Sequence, residues 1–180
     1  MERSKTDFSM KNIEIKFQVP FHKEIISYLN HHHDIDFLWC KEQTDIYFQI
    51  PDGRLKLRTQ SDSASQLIYY QRTNSLEARL SDYLIFSTTE TDSLKEILEK
   101  ALGVKTIIKK KRHLYQFRNV RIHLDEVTEL GNFIEFESVL NERIDEEGGR
   151  KNLQLLLNNL SSFPLTPIAE SYADLIQRNL

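Results

Sequence analysis

The chain has 180 residues, of which 39% are hydrophobic, 28% charged and 10% aromatic. That apolar content can fill a core, which excludes a disordered chain, and five Gly, four Pro and one Cys exclude collagen-like, low-complexity and disulfide-stapled classes. Lys+Arg 24 against Asp+Glu 27 leaves a net charge of -3, the mark of neither a dedicated nucleic-acid binder nor an acidic solvating tail.

Residues 1–10 are polar and are expected to form a flexible lead-in, with neither the apolar segment nor the cleavage site of a signal peptide. Residues 11–180 are expected to form one domain, the usual size for such a length. Ile13, Ile15, Phe17 and Val19 alternate with Asn12, Glu14, Lys16 and Gln18, the period of a strand. After Pro20, residues 21–32 space Phe21, Ile25, Tyr28 and Leu29 as a helix. Strands are expected over 36–50, 54–60, 66–72 and 81–90, with Pro51-Asp52-Gly53 as a turn between the first two. A helix follows over 91–102, with Thr91 or Asp92 as its cap and Gly103 as its stop. Strands over 104–117, 119–126 and 132–140 come next, then helices over 143–160 and about 168–179. Eight strands without βαβ alternation point to an α+β fold, an eight-stranded antiparallel barrel with helices packed outside. No run approaches the ~18 apolar residues of a membrane span, and a reducing cytoplasm is the expected compartment. Cys40 and Trp39 read as buried packing groups, and Tyr69 and Tyr70 likewise.

The charges fall on strand faces. Glu14 and Lys16 share one face; so do Lys56 and Arg58, then Arg121, His123 and Asp125, then Glu135 and Glu137. Over 106–114 the alternation allows either Lys109 with Lys111 or Lys110 with Arg112. Any one such face is what a solvated antiparallel sheet shows. Together they differ, because the apolar faces must pack against the helices, which turns every charged face to the same side. In a barrel that side is the interior, where charges persist when paired or bound to an ion. Rows of bases suit phosphates, and neighbouring carboxylates suit Mg²⁺ (or Mn²⁺), which prefers oxygen ligands and bridges to substrate phosphates. The residues alone point to a metal–triphosphate site inside a barrel, with excess positive charge within and excess negative charge without.

Five segments in order resemble the CYTH superfamily, the triphosphate tunnel metalloenzymes that include class IV adenylyl cyclases and thiamine triphosphatases. They are Asn12–Lys16, Gln43–Arg58, Leu67–Arg72, Lys109–Glu137 and Glu170–Ile176. The resemblance implies an eight-stranded tunnel. It implies metal ligation by Glu14, Asp125, Glu135 and Glu137, and phosphate contacts from Lys16, Lys56, Arg58, Arg72, Lys110, Arg112 and Arg121, with Lys16, Arg58 and Arg121 in the catalytic set. It thus selects Lys110 and Arg112 over their neighbours. Two positions depart from the family pattern. Asn12 replaces the first Glu of the opening motif, which leaves a weaker oxygen ligand and one negative charge fewer, and Gln71 stands where Glu is common. The His-Phe pair of some class IV cyclases is also missing; Asp7 precedes Phe8. The expected activity is metal-dependent hydrolysis of a nucleoside, thiamine or inorganic triphosphate. The alternatives are conversion of ATP to cyclic AMP and pyrophosphate, and binding of a nucleotide or polyphosphate without chemistry. The expected partner is a small triphosphate such as ATP, thiamine triphosphate or tripolyphosphate, not nucleic acid or membrane, and monomer and homodimer are both compatible. His123 is a candidate for proton transfer or a tunnel-wall group. His31-His32-His33-Asp34 reads as a solvated helix end whose consecutive side chains diverge.

Overall fold

The computed structural model describes residues 10–178, so the expected lead-in lies almost wholly outside the described residues. The strands are β1 (Met10–Val19), β2 (Asp36–Phe48), β3 (Arg54–Gln60), β4 (Ser65–Gln71), β5 (Arg79–Thr88), β6 (Val104–Phe117), β7 (Val120–Val127), β8 (Gly131–Val139) and a two-residue β9 (Thr166–Pro167). The helices are α1 (Lys23–His31), α2 (Thr91–Leu102), α3 (Glu146–Asn159) and α4 (Tyr172–Arg178). The order β5-β4-β3-β2-β6-β7-β8-β1 is antiparallel throughout and closes on itself where Met10–Glu14 of β1 meets β5. The second half of β1 pairs instead with β9, Phe17 opposite Pro167. The barrel expected from strand periodicity is therefore present, with four helices around it.

Alternation decides which side chains face which way. On β1, Ile13, Ile15, Phe17 and Val19 point outward into a core shared with Ile25 and Leu29 of α1 and Leu153 and Leu156 of α3. Each such burial contributes about 1.5–3 kcal/mol. Asn12, Glu14 and Lys16 point inward and are equally buried. On the other side of the barrel, Leu94, Leu98 and Leu102 of α2 cover Ile46, Phe48 and Leu57. The paired glycines do not prevent α3. Asp145 caps it by accepting from the Gly148 amide, and a Cβ on Gly149 would lie 2.6 Å from Leu140, so a glycine lets the helix approach β1 and β8.

Several expectations change. Cys40 is exposed and Trp39 half-exposed, because the unbroken alternation from Trp39 to Tyr47 sets Trp39 on the cavity wall with Gln43 and Cys40 on the opposite, outer face of β2. Neither Thr91 nor Asp92 caps α2; Glu90 is the cap residue and makes no side-chain bond, although Gly103 does end the helix, at φ +76°. The helix expected over 143–160 starts at Glu146, because Asn141 and Ile144 bridge to each other in a tight turn. The last helix starts only at Tyr172. α1 ends at His31, so His32, His33 and Asp34 escape helical spacing and bring their polar atoms within 4.8 Å of one another. Among the described residues no helix is long and apolar enough to cross a membrane.

Candidate functional site

The inward faces enclose a cavity of about 500 Å³. One end is closed by α4, whose Tyr172, Ala173 and Leu175 pack among Tyr47, Ile108, Val127 and Phe133. These four continue the inward rows of β2, β6, β7 and β8, so the chain plugs its own barrel. Pairing register then assembles the charges. Lys16 lies opposite Glu135 and Glu14 opposite Glu137 on β8, while β7 sets His123 opposite Glu135 and Arg121 opposite Glu137. Arg112 of β6 lies opposite Asp125.

Three groups result. In the first, Asp45 is fully buried among three bases: Arg58 bonds it at 2.7 and 2.9 Å, and Lys56 and Lys110 each at 3.1 Å. Burial pushes the Asp45 carboxyl up, but Arg58, Lys110 and Lys56 outweigh it and hold it well below the usual carboxylate range. The same crowding acts on the lysines. Burial, then repulsion by Arg112, lowers Lys110 to about 7. Burial, then Arg58, lowers Lys56 to about 8.

In the second, Arg112 grips Asp125 through Nε at 2.6 Å and reaches Glu135 at 3.4 Å. The Tyr172 hydroxyl donates to Asp125 at 2.9 Å, and the Lys16 ammonium lies over the Tyr172 ring at 4.1 Å. The plug helix is thereby joined to the charged interior by a hydrogen bond and a cation–π contact.

The third is carboxylate-rich. His123, Glu135 and Glu137 offer ligand atoms within 4.8 Å of one another. Glu14 stands beside them, paired with Arg72 at 2.9 Å and Arg79 at 3.5 Å. Burial outweighs Arg72 and raises Glu14 to about 7. Burial and Arg112 lower His123, which favours the neutral ring, the form able to offer a lone pair. Asn12 Oδ1 and His123 Nδ1 are buried and have no hydrogen-bond partner, while Glu14 Oε1 is met only by the two guanidinium ion pairs. Hard oxygens plus one imidazole, with orphaned acceptors among them, fit a divalent cation.

A family model described as the CYTH domain matches residues 10–172. The chain belongs to the CYTH family. Among solved structures it is similar to the PH1012 protein of Pyrococcus horikoshii OT3, at 25% identity and a TM-score of 0.76 over 91% of this chain and 98% of that one. It shares its fold with a candidate adenylate cyclase from Vibrio parahaemolyticus, at 20% identity and a TM-score of 0.73 over 92% and 97%. It also shares its fold with the Pct1 RNA triphosphatase of Schizosaccharomyces pombe in complex with the Spt5 CTD, at 10% identity and a TM-score of 0.55 over 86% and 84%. No curated protein matched.

Within this CYTH barrel all seven expected bases and all four expected carboxylates turn inward, although not into one cluster. Asp125 accepts hydrogen bonds from Arg112 and Tyr172. The Arg121 side chain is 43% exposed and 4.0 Å from Glu137. Arg72 lies one residue beyond β4 yet reaches Glu14. Tyr70 lines the cavity beside Tyr47, whereas Tyr69 lies outside against Gly53.

Two charged residues escaped the sequence reading. Asp45 is a lone carboxylate in an aromatic strand; its signal was its parity with Gln43 and Tyr47 and its place opposite Arg58. Arg79 follows the irregular stretch after β4, where no periodicity assigns a face.

Proposed function

We propose that this CYTH protein is a divalent-cation-dependent enzyme that hydrolyses a triphosphate bound in the barrel. The observation that carries this reading is the sorting of charge along one cavity. Lys56, Arg58, Lys110 and Arg112 form a basic wall, and His123, Glu135, Glu137 and Glu14 form a cation-binding group beside it.

Since α4 closes one end, a linear triphosphate enters from the other, terminal phosphate first. Lys56, Arg58 and Lys110 exchange the single Asp45 carboxylate for phosphate oxygens, and Arg112 and Lys16 stand where charge accumulates on the phosphoryl group under attack. Lys16 bridges the two regions, its ammonium 3.1 Å from Glu135. Glu135, Glu137, His123 and Glu14 would hold Mg²⁺ or Mn²⁺, with the Asn12 oxygen as a weaker ligand. When bound, such an ion polarises phosphoryl oxygens and stabilises the leaving oxygen. Water attacks the terminal phosphorus, the bridging P–O bond breaks, and orthophosphate and a diphosphate end result.

A second reading, cyclisation of ATP, is supported by the fold shared with the candidate adenylate cyclase. It differs in using the ribose hydroxyl on the α-phosphorus. The missing His-Phe pair weighs against it; Asp7 and Phe8 lie outside the described residues. One incubation separates the readings: purified protein with Mg²⁺ or Mn²⁺ and either ATP or tripolyphosphate, analysed for orthophosphate, pyrophosphate and cyclic AMP. Orthophosphate is expected from both. Cyclic AMP with pyrophosphate would replace hydrolysis by cyclisation, and binding without product would sink both enzyme readings.

A further inference from the structure

The charged interior does not extend over the whole cavity wall. On one side it is lined by Leu114 and Trp39, register partners on β6 and β2, and by Ile68 and Ile85, register partners on β4 and β5. Between the two pairs lie Gln43 and Gln60, register partners on β2 and β3. None of the six is ionisable. Ile85 is 38% exposed although it faces the cavity, which places this wall toward the open end. An inorganic polyphosphate gains nothing from such a wall, because its anionic oxygens cannot replace water there.

The glutamines make the wall specific. Gln43 is 3% exposed, and its amide donates to Gln60 Oε1 at 2.8 Å. Its own Oε1 is buried with no partner. A buried acceptor without a partner is destabilising, and a ligand donor relieves it. The Gln60 carbonyl is used, so its amide nitrogen is the group left for a ligand. An acceptor beside a donor matches the amine and ring nitrogen on one edge of an amino-bearing base. Trp39 and Leu114 offer flat and apolar surface for the ring.

From this wall we infer a subsite for an uncharged heteroaromatic base, so that among the triphosphates the tunnel binds a nucleoside triphosphate is preferred to tripolyphosphate or thiamine triphosphate. The inference rests on the triphosphate reading above. A thiazolium ring carries a fixed positive charge close to its phosphates. It would meet no carboxylate on this wall, and the Trp39 ring that could receive it already has the Lys41 ammonium 5.6 Å from its centre.

The test is equilibrium binding of ATP, thiamine triphosphate and tripolyphosphate, in Ca²⁺ to hold turnover off, for the parent protein and for Trp39→Ala and Gln43→Leu. ATP is expected to bind at least about tenfold tighter than either competitor. Each substitution should weaken ATP by about five- to tenfold and leave tripolyphosphate within about twofold, the range stacking and a buried hydrogen bond supply. The unchanged tripolyphosphate affinity also reports that each variant is folded. Equal affinities for ATP and tripolyphosphate, or tightest binding of thiamine triphosphate, would overturn the base subsite and leave the triphosphate reading standing. Binding of none of the three would overturn both.

Discussion

Lys110 illustrates how much of the site is settled by single side chains. It is buried, 3.1 Å from Asp45 and 4.0 Å from Asp125, with Arg58 and Arg112 repelling it, and it is lowered to about 7. A polyanion in the tunnel supplies the missing counter-charge, so the ammonium should be restored. The Cε resonance of Lys110, followed by NMR, is expected to titrate near pH 7 in the free protein and above about 9 with saturating tripolyphosphate. A titration unmoved by the anion would place the phosphates elsewhere. In the carboxylate group, Glu137→Ala should lower metal-dependent turnover by at least about 100-fold, since even residues behind a ligand cost 10–100-fold. Asn12→Glu adds a charge where a buried, unpartnered oxygen lines the same cavity. It should tighten Mn²⁺ binding on the order of tenfold in a calorimetric titration, because ligand charge count tunes such sites. At this scale much was legible, for a physical reason: a strand side chain has only two directions, so one apolar neighbour assigns a whole row. Where both rows were charged, as at Lys109–Arg112, periodicity had nothing to choose between. Asp45 was illegible because a single carboxylate forms no row.

Among the elements, α3 depends most sharply on one residue. Gly149 lies where the helix crosses β1 and β8. A Cβ there would meet Leu140 at 2.6 Å, Ser138 at 3.0 Å and Ile13 at 3.3 Å, and the Gly149 carbonyl accepts from Ser138 at 2.9 Å. Gly149→Ala gains about 1 kcal/mol of helix propensity but overpacks buried contacts, a cost of about 1–3 kcal/mol. A net loss of about 1 kcal/mol is expected, read as a lower urea midpoint with unchanged slope. A gain in stability would mean that α3 is free to move away from the barrel. The helix positions were legible from apolar spacing and from stops such as Gly103. The role of α4 was not. Tyr172 and Leu175 look like the stripe of any short amphipathic helix, and only the closed barrel reveals that they fill its end.

Over the whole molecule, the net charge of -3 conceals an uneven distribution. Arg79 joins the seven expected bases and Asp45 the four expected carboxylates, so eight inward bases face five inward carboxylates and the interior keeps its positive excess. Folding brings like charges together there, and an anion relieves them. At a tripolyphosphate concentration about 100 times its dissociation constant, the linkage contributes about 2.7 kcal/mol. For a chain of this size that corresponds to a melting temperature raised by about 5–10 °C, measurable by calorimetry or dye-based melting. An equal rise with sulfate at the same ionic strength would mean that screening, not a polyphosphate site, is responsible. The closure of one end by α4 has a kinetic corollary. A chamber with one opening empties in the reverse of the order in which it fills. With the terminal phosphate deepest, the diphosphate product leaves first and orthophosphate last. Orthophosphate should then inhibit competitively against the triphosphate, and the diphosphate product noncompetitively.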